Sequence, residues 1–243
     1  MLGELEIEVC INSASVDYVN RAAAAAELGG ARRIELCAAM DQDGLTPAIE
    51  HIRAARKAFR PEGLMVMVRP RAGNFYYSLE ESDVMVRQIE MAARACADGV
   101  VLGGLRARDN AIDEGLLLRL LDTARSLKLT TTFHRAFDAT LDPEKSLDTL
   151  MQLGVDRVLT SGTRWGSGEA AMQGVPLLNR LIAQAGQCIE IVVGGGLSPD
   201  NSPELMGQLV RSSGKVSLHA YSGVLHNGEV SSERVRAMSR GTA

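Results

Sequence analysis

Eight short runs rich in Val, Ile, Leu and Thr recur along the chain, and their rhythm constrains the fold more than any other feature. They are Leu5 to Ile11, Arg33 to Cys37, Leu64 to Arg69, Gly99 to Leu102, Leu129 to His134, Arg157 to Thr160, Ile189 to Val193 and Val216 to His219. Their spacing of about 30 residues is what one strand, a crossover helix and two loops require. Eight such units predict a closed (β/α)8 barrel, a TIM-type α/β fold, in a single domain spanning residues 1–243.

The intervening segments carry helix signals. Thr46-Pro47, Asp142-Pro143 and Ser198-Pro199 each set a capping side chain before a proline suited to the first helical position. Ser78 and Glu81 have the spacing of a capping box, and Met85, Ile89, Ala92 and Cys96 then recur on one helical stripe, which predicts a core position for Cys96. The run Ala22 to Ala26 is a strong helix former whose small side chains permit close packing on the barrel wall.

A doubly wound open sheet would show the same alternation. After the first run, however, the chain reads Asn12-Ser13-Ala14-Ser15 rather than Gly-x-Gly-x-x-Gly, so the pyrophosphate turn is missing and no nucleotide cofactor is expected. A net charge of −4 with 4% aromatic residues argues against a nucleic-acid surface. The N-terminal residues lack the basic start and apolar core of a secretory signal, and no apolar run approaches the roughly 20 residues needed to span a bilayer. A cytoplasmic protein with no membrane partner is the expectation.

Cys10, Cys37, Cys96 and Cys188 form no Cys-x-x-Cys pair, which excludes a disulfide scaffold or zinc knuckle, and no His-Glu-x-x-His motif supports zinc hydrolysis. His51 and His226 read as surface or helix positions. The predicted strand ends, by contrast, form a polar ring: Glu8 and Cys10, Glu35 and Cys37, Arg69 and Arg71, His134 with Arg135 and Asp138, Thr160 with Ser161, Gly194 to Gly196, and His219. Such groups are costly to bury unless they pair with one another or bind something. The carboxyl ends of barrel strands are where this fold places its chemistry.

Two patterns in the ring point to ligands. Glu8-Val9-Cys10 and Glu35-Leu36-Cys37 put each glutamate on the face of its cysteine, so two thiols on neighbouring strands could jointly hold a soft ion such as Cu(I). Buried packing of both cysteines is the competing reading. Arg69-Pro70-Arg71 has the look of an anion clamp, and Gly194, Gly195 and Gly196, with Ser222-Gly223 after the last run, that of a phosphate cradle. His134 would then serve as acid or base, tuned by Glu35 or Asp138.

Six ordered blocks resemble the CutC family, usually described as copper homeostasis proteins: Glu-Val-Cys at 8–10, Arg-Ile-Glu-Leu-Cys at 33–37, Gly-Leu-Thr-Pro at 44–47, Arg-Pro-Arg-Ala-Gly-Asn-Phe at 69–75, Phe-His-Arg-Ala-Phe-Asp at 133–138 and Leu-Thr-Ser-Gly at 159–162. The resemblance implies a TIM-type barrel, a cytoplasmic homo-oligomer, and copper association through metal ligands at Cys10 and Cys37. Leu218-His219-Ala220-Tyr221-Ser222 departs from the family pattern. The alternative is a barrel enzyme acting on a small phosphorylated or carboxylated metabolite. Its catalytic set would be His134, Glu35 and Asp138, and its ligand-binding set Glu8, Arg69, Arg71, Arg135, Gly194, Gly195 and His219. A third reading is an oligomeric scaffold whose rim is an internal salt-bridge network.

Overall fold

The computed structural model describes residues 5–240. Eight parallel strands, β1 (Glu6–Asn12), β2 (Arg33–Cys37), β3 (Leu64–Met67), β4 (Gly99–Leu102), β5 (Thr130–Phe133), β6 (Arg157–Thr160), β7 (Glu190–Val193) and β8 (Val216–Ala220), pair in sequence order. The sheet closes on itself, with Glu6 opposite Ser217 and Glu8 opposite His219. Around it lie α1 (Val16–Leu28), α2 (Ile49–Ala58), α3 (Leu79–Arg94), α4 (Glu114–Ser126), α5 (Pro143–Leu153), α6 (Val175–Ala185), α7 (Ser202–Gln208) and α8 (Ser232–Arg240). A small hairpin of β9 (Leu225–His226) and β10 (Glu229–Val230) precedes α8; at two residues per strand it leaves no period in the sequence. No helix among the described residues is long and apolar enough to cross a membrane.

The period of two sorts each strand between two cores. Ile7, Val9 and Ile11 of β1 join the large cluster beneath the helices. Cys10, Cys37, Met65, Met67 and Val101 form a separate cluster inside the barrel, with Met40 and Tyr221 packed against it. The interior is therefore rich in sulfur toward one end.

Local signals succeed where nothing competes for the capping group. Asp142 caps α5, accepting from the Lys145 amide, and Ser78 with Glu81 closes the capping box of α3. Thr46, however, does not start α2, which begins only at Ile49. Its hydroxyl is taken by the backbone of Arg69, accepting from the amide at 2.8 Å and donating to the carbonyl at 3.2 Å. The expected strand through Arg69 accordingly ends at Met67, since a side chain replaces the ladder just before Pro70. Ser198 is likewise spent on the amide of Asp200, and α7 starts later, with Pro203 in its first turn. Cys96 is not in the core. Helix α3 ends at Arg94, the Ala97 amide bonds back to the Ala92 carbonyl, and Cys96 is left exposed at φ 61°.

Candidate functional site

Strand register decides which rim residues meet. Because Cys10 stands opposite Glu35 and Asn12 opposite Cys37, the two cysteines are offset along the barrel. Their side chains nevertheless converge, with Sγ atoms 3.9 Å apart, both buried, and the thioether of Met40 lies 3.7 Å from the Cys10 sulfur. A Glu35 carboxylate oxygen completes a group of potential metal ligands with Cys10 and Cys37. A second such group is Glu8, Glu35 and His219.

The charges in this interior are arranged in pairs. His219 Nε2 is 2.8 Å from one oxygen of Glu35 and 4.0 Å from Glu8, whose other oxygen accepts from Arg33 at 3.1 Å. Burial alone would raise the carboxyl of Glu35, but the positive charge and hydrogen bond of His219 hold it below its ordinary value. Burial opposes charge on His219 too, yet the Glu35 carboxylate and a hydrogen bond with Cys10 lift it well above the usual imidazole range. The thiols move upward. Cys10 is raised by its hydrogen bond with Cys37 and by burial; at Cys37 the hydrogen bond from Cys10 lowers the value, but burial and the Glu35 charge outweigh it and push it up to about 11. Both thiols are thus protonated at neutral pH.

Above this floor lies a cavity of about 290 Å³, lined among others by Glu35, Cys37, Met40, Arg69, His134 and His219. Phe75 and Trp165 make an aromatic wall, with ring centroids 5.4 Å apart in an edge-on arrangement, and Phe75 is 5.2 Å from His134. The Arg69 guanidinium lies over Phe75 and donates to the carbonyls of Gln42, Gly44 and Gly73, lacing together the loops after β2 and β3.

The remaining rim residues separate into those that face the cavity and those that do not. Arg135, Gly195 and Ser222 line it. Arg71 does not join Arg69 in a clamp: it turns toward Glu81, stacks over Tyr77 and donates to the carbonyls of Asn74 and Tyr76. Gly194 is buried and gives its amide to Thr160. Asp138 lies outside the cavity lining, accepting from Arg135, Thr160 and Ser161, where it ties the turn Arg135–Ala139 to β6. The imidazole of His134 makes no hydrogen bond to Glu35 or Asp138; its Nδ1 accepts from the Ala136 amide. Burial and then the nearby Arg69 charge depress His134 to about 3, which disfavours the imidazolium an acid or base role needs.

Sequence reasoning missed Met40, Met67, Phe75, Trp165 and Tyr221. Met40 follows Cys37 at the short spacing of a ligand pair, and Met67 shares its face with Arg69 by strand period. Trp165 is the sole tryptophan but sits in an irregular loop that no periodicity reaches.

A model of the CutC family matches residues 5–224. A human copper homeostasis protein cutC homolog is 38% identical over 213 residues, covering 88% of this chain and 71% of that protein. A CutC family protein of Bacteroides thetaiotaomicron is 40% identical over 196 residues, covering 81% of this chain and 74% of that protein. The crystal structure of a CutC protein from Streptococcus agalactiae superimposes with a TM-score of 0.75 at 30% identity, covering 88% of this chain and 98% of that one.

Proposed function

The chain belongs to the CutC family, and from that premise we propose that it handles copper by binding Cu(I) between the thiolates of Cys10 and Cys37, with the Met40 thioether as third sulfur. The observation that carries this reading is the convergence of three sulfurs at 3.9 and 3.7 Å inside the barrel. Two metal–thiolate bonds of about 2.3 Å each can bridge the separation of the thiols, and thiolate with thioether is the donor set that selects Cu(I) over harder ions. Glu35 and His219 border the site; the carboxylate suits a hard ion better and serves here to orient the thiol protons.

A cytoplasmic setting fits the reading, because a reducing compartment keeps two facing thiols from closing into a disulfide. The homo-oligomer expected from the resemblance belongs to the same proposal, and sedimentation equilibrium of the reduced protein measures it. The copper reading is tested by anaerobic competition against a chromogenic Cu(I) chelator. Wild type should win copper from the chelator, the Cys10→Ser/Cys37→Ser variant should not, and Met40→Leu should fall between. Equal, weak competition by wild type and the double variant would sink the proposal.

A further inference from the structure

We propose that the cavity at the barrel mouth is a second site, which binds a small organic oxyanion, a phosphate monoester or a carboxylate, that balances Arg69 and accepts a hydrogen bond from Nε2 of His134. The charge balance points to an anion. Arg69 is 2% exposed, yet its bonds go to neutral backbone carbonyls, and no carboxylate among the described residues pairs with it. Three of the other charges lining the cavity are spoken for: Glu35 holds His219 at 2.8 Å, and Arg135 holds Asp138 at 2.8 Å. Asp43 also lines the rim, but it is exposed to solvent and makes no ion pair with Arg69 or any other of the described residues. Tyr77, beside Arg69, supplies no counter-charge, since burial raises its phenol. A buried cation left without an anion is among the costlier arrangements a fold can hold.

His134 makes an independent demand. Its Nδ1 already accepts from the Ala136 amide, which puts the ring proton on Nε2, and Nε2 is buried with no hydrogen-bond partner among the described residues. The ring cannot escape by charging, because burial and Arg69 keep it neutral. A ligand oxygen satisfies it. A neutral acceptor would answer His134 but leave Arg69 unbalanced, and a cation would be repelled, so an oxyanion is the one class that meets both residues. The Phe75 and Trp165 wall leaves room for a small carbon body, and 290 Å³ lies at the small end of ligand pockets, about 300–1,000 Å³.

The test uses the full-length reduced protein with three probes at millimolar concentration and matched ionic strength: glycerol 3-phosphate, glycerate and uncharged glycerol. Thermal shift and calorimetric titration should show at least one anion stabilising the fold while glycerol does not, and which anion binds identifies the headgroup. His134→Phe, which keeps the ring shape among Phe75 and Phe133, should weaken that anion about tenfold or more. Arg69→Lys, which keeps the charge but cannot reach three carbonyls, should weaken it as well. Cys10→Ser, which removes one thiol of the copper reading at a position outside the cavity lining, should leave it unchanged, separating this site from the copper reading. If neither anion shifts the melting temperature, or if the shift survives intact in both His134→Phe and Arg69→Lys, the proposal is overturned.

Discussion

Both thiols of the sulfur cluster hold their protons well past neutrality, Cys37 to about 11 and Cys10 raised by its hydrogen bond with Cys37. Cu(I) must displace those protons, so its affinity should climb with pH, by up to about a hundredfold per unit when both thiols deprotonate on binding. Competition titrations at pH 6.5, 7.5 and 8.5 read that slope directly, and a flat profile would mean the thiols are not the ligands. His134 gives the opposite kind of dependence, on stability. Its value falls from an ordinary 6.5 to about 3 on folding. Below 6.5 the unfolded chain therefore binds a proton that the folded chain refuses, and stability drops by about 2 kcal/mol near pH 5 relative to neutrality. Urea denaturation should show His134→Phe lacking that component, closing on or overtaking wild type at pH 5. His219 acts in reverse: its folded value is raised, so its contribution is complete below 6.5 and is lost as pH rises toward that higher value. The sequence placed all these side chains at strand ends, but their protonation depends on neighbours from other strands and was not legible.

At the scale of elements, Asp142 illustrates a signal that reads correctly because it is local. Its carboxylate caps α5 within three residues, and Asp142→Ala should cost about 1 kcal/mol by chemical denaturation. Thr46 and Ser198 carried the same signal and failed, because each hydroxyl had a stronger claim elsewhere: Arg69, 23 residues on, for Thr46 and a local turn for Ser198. Propensity cannot see such competition. Nor can it see Gly174, which has an ordinary φ yet lies where a Cβ would stand 2.0 Å from the Ser161 carbonyl oxygen, at the crossing of the β6 loop and the start of α6. Gly174→Ala forces two backbones apart and should cost at least about 3 kcal/mol. Gly168 is the control: its φ of 78° makes alanine unfavourable, but nothing lies within 4 Å of a Cβ there, so Gly168→Ala should cost only about 1–2 kcal/mol. A loss at Gly174 no larger than that at Gly168 would show that the close crossing relaxes around the added methyl.

Closure of the whole barrel rests on contacts that the eightfold rhythm does not encode, since alternation of strands and helices fits an open sheet equally well. The seam joins β1 to β8, and Arg33 of β2 spans it from inside the barrel. Its guanidinium meets Glu6 and Glu190 at 2.5 Å each, Glu8 at 3.1 Å and the Ser217 hydroxyl at 2.7 Å, so one side chain links β1, β2, β7 and β8. Nearly all of Glu8 is buried, and Arg33 itself is 6% exposed. The pairing is thus screened from water, and deleting one partner strands the other. Arg33→Met should destabilise the protein by about 3–5 kcal/mol, because Glu8 loses its hydrogen-bonded counter-ion and keeps only His219 at 4.0 Å. If the loss arises from stranded charge rather than altered packing, Glu8→Gln in the Arg33→Met background should recover part of it, a coupling that a double-mutant cycle by urea denaturation resolves. Additive losses would instead make Arg33 a packing residue, and the seam would then owe its closure to the strand ladders and the apolar layer beneath the helices.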